Sequence, residues 1–189
     1  MQRRKFVIGM GALASGAAAA VGSGAFTSVE ADRSVDVEVA GDSSSYLALS
    51  RVTGSKNSQK YVSKSNGEIS FNFSDSNGSV DGTGFNPDAT TQIDSLLNVS
   101  NQGTQNVNFW INISSLSTGS ADVTFSTDGD ISSSQLAYDG SNSGSVTEVT
   151  LSPGDSITLD LKVDTTGQGI ASTSDTITFV AEAGGSPGA

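Results

Sequence analysis

From residue 34 onward, apolar and polar residues alternate with a period of two rather than 3.6, the signature of half-buried strands. The clearest segments are "SVDVEVA" (34–40), "YLAL" (46–49), "EISFNFS" (68–74), "SLLNVSN" (95–101), "NVNFWINIS" (106–114) and "ADVTFST" (121–127). "SVTEVTLS" (145–152), "DSITLDLKVD" (155–164) and "SDTITFVAEA" (174–183) complete the series. Val, Ile, Phe and Thr dominate them, while Gly, Asn, Asp, Ser and Pro fill the gaps. About nine short strands so spaced predict an all-β chain, a single antiparallel β-sandwich of jelly-roll or Ig-like type. Its expected core is Ile69, Phe71, Phe73, Leu97, Val99, Phe109, Ile111, Val123, Phe125, Leu159, Leu161, Ile177 and Phe179. Trp110, out of phase with Phe109 and Ile111, is expected to face outward or to cover a sheet edge.

Two links carry turn chemistry. "LLNVSNQGTQNVNFWINI" is expected to be a hairpin turning at Asn101-Gln102-Gly103. In "VTLSPGDSITLDLKVD", Pro153-Gly154-Asp155 stands between two alternating strands and predicts a reverse turn. Asp88 to Leu97 has room for a short turn of helix, whereas residues 54–67 and 74–91 have the low complexity of surface loops.

Ahead of the strands lies a different pattern. Gln2-Arg3-Arg4-Lys5-Phe6 precedes "VIGMGALASGAAAAVGSGA", a basic region followed by a weakly apolar one that ends in small residues. This predicts a cleaved signal peptide over 1–25, with cleavage after Ala20 or Ala25. Adjacent Arg3 and Arg4 before a mildly hydrophobic stretch resemble a twin-arginine export signal. A transmembrane anchor is the competing reading, but five glycines dilute the stretch. The expected organisation is thus a leader over 1–25, a β-sandwich over 26–183 with an N-terminal strand at 34–40, and a flexible tail over 184–189. The mature form is expected to be extracellular or at the cell surface, without a membrane anchor of its own.

Charge and missing residue types narrow the function. The 189-residue chain has no histidine and no cysteine. It therefore lacks the commonest general base, the usual zinc ligands and disulfides. Its net charge is −11, from 9 basic and 20 acidic residues. Removing Arg3, Arg4 and Lys5 with the leader leaves 6 basic against 20 acidic residues, a net of −14. Such a surface repels nucleic acid and anionic membranes and suits solubility at high salt. No catalytic constellation and no cofactor or metal site is expected.

Asp75, Asn77, Ser79, Asp81 and Thr83 alternate as calcium ligands do, but Val80 stands where the calcium-binding loop needs glycine and Asn86 where it needs glutamate. Lys56, Lys60 and Lys64 lie among serines, as a serine–lysine nucleophile would require, without an apolar surrounding to lower a lysine pKa. Asn-x-Ser/Thr sequons stand at Asn72, Asn77, Asn98 and Asn112; they permit glycosylation in an exported chain. Asn77, in a loop, is expected to be the most accessible. Tyr46, Tyr61, Trp110 and Tyr138 are aromatic candidates for stacking on sugar rings.

The stretch "GAFTSVEADRSVDVEVAGDSSSYLALS", with Ala-Phe-Thr, Val-Glu-Ala-Asp-Arg, a valine strand and Tyr-Leu-x-Leu, resembles the start of haloarchaeal secreted proteins of unknown function. More distantly, a leader, then Ala25-Phe26, then an immediate strand is similar to the TasA/camelysin group of matrix-fibre proteins and the archaeal bundling pilins. That resemblance implies a jelly-roll-like subunit whose N-terminal strand completes the sheet of the next. The peptidase activity described in that wider group does not carry over to a chain without histidine. Two non-enzymatic functions follow. One is a structural subunit that polymerises head to tail through Val35, Val37 and Val39; the other is an envelope adhesin or glycan-binding module. The partners are accordingly the chain itself, or other envelope proteins and glycans.

Overall fold

The computed structural model describes residues 40–116, 121–127, 135–142, 146–167 and 175–187. They form ten strands and one short α-helix, almost all of the pairing antiparallel. Sheet I has the order β1-β4-β9-β6, from β1 (Leu47–Arg51), β4 (Thr90–Asn101), β9 (Ser156–Asp164) and β6 (Asp122–Thr127). In sheet II, β5 (Val107–Asn112) pairs on one side with β10 (Thr178–Glu182). On its other side lie β8 (Val149–Leu151) and the two-residue β7 (Ala137–Tyr138), which is parallel to it. A separate hairpin joins β2 (Val62–Ser65) to β3 (Glu68–Phe71).

The core lies where the two sheets contribute alternate residues. Leu97, Val99, Leu159, Leu161 and Phe125 of sheet I and Phe109, Ile111, Ala137 and Leu151 of sheet II belong to one buried cluster. Ile69, Phe71, Phe73, Val123, Ile177 and Phe179 pack against it half-buried. The all-β sandwich expected from the alternation is the architecture found. Trp110 has the outward phase expected of it but is buried nonetheless, outside the main cluster.

The expected hairpin is corrected, while the expected reverse turn is found. β4 pairs with β1 and β9, whereas β5 pairs with β7, β8 and β10. The link through Asn101-Gln102-Gly103 therefore crosses from sheet I to sheet II as an arch. The Pro153-Gly154 turn does form: Asp155 N donates to Ser152 O at 2.9 Å, and Gly154 takes φ +89°, a conformation glycine adopts without strain. It too is an arch, from β8 in sheet II to β9 in sheet I. The reason is that strands of either sheet alternate toward the same core. Apolar phase alone does not separate a neighbour alongside from a neighbour across.

The two arches hold each other. Asn101 N donates to Asp155 O at 3.0 Å, and Gly154 N donates to Asn101 O at 2.8 Å. The Asn101 side chain is buried; its Nδ2 donates to Gln105 O at 2.7 Å and to Leu151 O at 2.9 Å. Its Oδ1 accepts from Gly103 N at 2.9 Å. One amide thus satisfies three backbone groups where the chain changes sheets.

The helical turn expected between Asp88 and Leu97 is also absent. Residues 90–101 are one long strand whose register with β9 shifts between Ile93 and Leu97, a β-bulge. Ser95 stands in the bulge at φ +54°; its N–H donates to Asp160 Oδ1 at 2.6 Å and its carbonyl accepts from Ser55 Oγ at 2.7 Å. The two extra residues let Leu96 and Leu97 both be fully buried. Because a left-handed residue other than glycine carries about 1–2 kcal/mol of strain, Ser95→Gly should keep both backbone bonds and raise stability by about 1 kcal/mol. Chemical denaturation would read this, and a loss of stability would mean that the serine side chain supports the bulge.

Residues 54–67, expected to be loop, contain helix α1 (Lys56–Tyr61) and β2. The helix has no apolar stripe to announce it. It is held by its N-cap Ser55, whose Oγ accepts from Ser58 N at 3.1 Å, and by buried Ser58, whose Oγ accepts from Val52 N at 2.9 Å. At the end of the chain, Asn108 Nδ2 donates to Gly185 O at 3.0 Å and Pro187 is buried, so the described part of 184–189 is held rather than free. Among the described residues no helix is long and apolar enough to cross a membrane.

Candidate functional site

The residues singled out in the sequence do not converge. Arg3, Arg4, Ala20, Ala25, Val35, Val37 and Val39 lie outside the described residues. Of the four aromatics, Tyr46 is 84 % exposed at the start of β1, Trp110 is buried, and Tyr61 and Tyr138 are half-buried on different elements.

The sequons differ in access. Asn77, expected to be the most accessible, is 7 % exposed, and its Nδ2 donates to Lys60 O at 2.9 Å and to Asn72 O at 2.8 Å. The loop turns inward at this residue because its amide is the group that can satisfy both carbonyls. Asn72 Nδ2 meets Ser76 Oγ at 3.1 Å, Asn98 Nδ2 meets Ser50 Oγ at 3.5 Å, and Asn112 Oδ1 accepts from Ser114 N and Oγ.

The calcium pattern does not become a cage. Asn77 Oδ1 accepts from Ser79 N at 3.0 Å, and no three His, Cys, Asp or Glu residues gather as metal ligands among the described residues. Lys60 Nζ donates to Ser79 O at 2.7 Å, and Lys64 Nζ meets Ser43 Oγ, both exposed.

Two carboxyls are held below their ordinary range by turn hydrogen bonds. Asp139 is lowered chiefly by the Ser141 backbone N–H, with desolvation opposing it and the Ser141 hydroxyl and Asn142 N–H adding to the lowering. Asp164 is lowered by the Thr166 hydroxyl and then by its backbone N–H. Each closes a turn, and both are ionised at neutral pH.

What does assemble is a cleft that sequence reading passed over. It lies between α1, the first half of β4 and the loop after β3, with a volume of about 240 Å³. Tyr61, Phe73 and Phe85 stand in its wall, with ring centroids 5.2 Å apart for Tyr61–Phe73 and 5.4 Å for Phe73–Phe85. Asn57, Asn86 and Gln92 supply amides. The loop is fixed at both ends: Asn77 buckles one end, while Thr165 Oγ1 donates to Asn86 O at 2.7 Å and accepts from Ala89 N at 3.0 Å at the other. The sequence hint was the phenylalanines flanking a Gly-, Ser- and Asn-rich loop, a pattern that low complexity masks.

Residues 51–186 match the model of a family described as a protein of unknown function (DUF1102). The chain belongs to that family. The match takes in every strand from β2 to β10 and both walls of the cleft, but not the stretch before Arg51. No curated protein and no solved structure matches the chain.

Proposed function

We propose that this DUF1102 protein is an exported, non-catalytic structural subunit of the cell surface or extracellular matrix, of the kind its resemblance to haloarchaeal secreted proteins and, more distantly, to matrix-fibre proteins and bundling pilins suggests. Subunits join when the valine strand of one adds to a sheet edge of the next. The observation that carries this reading is the presence of strands paired on one side only. Among the described residues β10 pairs with β5 alone and β1 with β4 alone, so each has a row of main-chain groups able to accept a further strand. Val35, Val37 and Val39 alternate, as an added strand needs to place one face into the sandwich. Burying each contributes roughly 1.5–3 kcal/mol.

The test compares the mature protein with a variant lacking residues 26–40 and with Val35→Asp/Val37→Asp, by negative-stain microscopy in molar salt. The mature protein should form filaments. The truncated form should stay folded and soluble, form none, and bind a synthetic peptide of residues 26–40. A truncated form that unfolds and ignores the peptide would assign the strand to its own sandwich and remove the basis for polymerisation.

A further inference from the structure

We propose that the cleft beside α1 binds one neutral sugar ring, a site that stands whether or not the subunits polymerise. Three observations lead there. First, the cleft is built rather than incidental. Buried Asn77 and the Thr165 bonds to Asn86 and Ala89 pin its loop at both ends, so little ordering is left to oppose binding. Second, its wall joins half-buried aromatic faces to amides, the combination that meets the C–H face and the hydroxyls of a pyranose. Asn57 Nδ2 donates to Asp94 O at 2.8 Å and Gln92 Nε2 to Asp94 Oδ1 at 2.6 Å. These bonds fix the two side chains and leave each its carbonyl oxygen as an acceptor. Asn86 is held through its backbone carbonyl, which leaves its whole side-chain amide to a ligand.

Third, the charge of the site selects against ions. No Asp, Glu, Lys or Arg lines the cleft among the described residues, in a chain of net charge −11. An anion would enter against that field without a cationic partner, and a cation would find no carboxylate in the wall. A wholly apolar ligand would strand the amides. A volume of about 240 Å³ is room for one six-membered ring with its hydroxyls and below the range of drug-sized sites.

Saturation-transfer NMR on the purified mature protein decides it. The probes are the methyl glycosides of glucose, galactose and mannose, with N-acetylglucosamine, glucuronate and N-acetylphenylalanine amide. At least one neutral sugar should receive saturation with millimolar affinity. Glucuronate and the amide should receive none. Asn86→Asp, isosteric and keeping the backbone bond to Thr165, should weaken the sugar at least fivefold, and Phe85→Ala should abolish its signal. Should Phe85→Ala fold poorly, Asn86→Asp decides alone, while Tyr46→Ala, away from the cleft, should change nothing. Silence from every sugar, an equal response to glucuronate or the amide, or binding undiminished in Asn86→Asp would overturn the proposal.

Discussion

Replacing Asn101 by leucine should lower the unfolding free energy by about 3 kcal/mol, because buried backbone groups left without partners each cost about 1–3 kcal/mol. Leucine is of similar size, but it leaves Leu151 O, Gln105 O and Gly103 N without the amide that meets them. Asn101→Asp should be worse at neutral pH, since a carboxylate would face two carbonyl oxygens and has no hydrogen to donate. Its carboxyl pKa would be raised, so part of the loss should return as the pH falls and the acid form regains one donor. Guanidinium unfolding at constant salt and several pH values reads both variants. A leucine variant within 1 kcal/mol of the parent would show that the arches do not depend on this side chain.

The second large effect is expected at Phe109. It is fully buried, and its ring lies 6.3 Å from that of Phe179, nearly parallel to it. Phe109→Ala should destabilise the domain by about 3–5 kcal/mol, the usual result for deleting a buried aromatic. Phe85→Ala, at the half-buried cleft wall, should fall well below that. Equal losses at the two positions would contradict the assignment of Phe109 to the centre and Phe85 to the rim.

Strand content was legible because a two-residue period survives in almost every segment. Eight of the nine expected strands overlap described strands, from 46–49 with β1 to 174–183 with β10, while all but the last residue of 34–40 lies outside the description. What the period could not carry was partnership. Leu97 and Phe109 point into one core from opposite sheets, and the seven-residue link between Val99 and Val107 suits an arch as well as a hairpin. Local rules failed where a single hydrogen bond overrode them. The bulge at Ser95 adds two residues, so Ile93 and Leu97 keep one phase while Leu96, which simple alternation places on the other face, is buried as well. Polar surroundings predict an exposed Asn77, yet its amide donates to both Lys60 O and Asn72 O and is buried by doing so. The cleft was hidden for a related reason: Tyr61, Phe85 and Gln92 are far apart in sequence and meet only once α1 and the loop fold against β4.

The arches also decide where the domain can be entered. Leu47, at the start of β1, is paired with Asn101, and Glu182, at the end of β10, is paired with Asn108. Both therefore belong to the pole where the chain changes sheets. Thr90 and Asp164, paired with each other, mark the opposite pole. A fluorescent protein or affinity tag placed after β10 would thus crowd the approach to β1. The same label inserted at Thr166-Gly167 would stand at the far end of the sandwich.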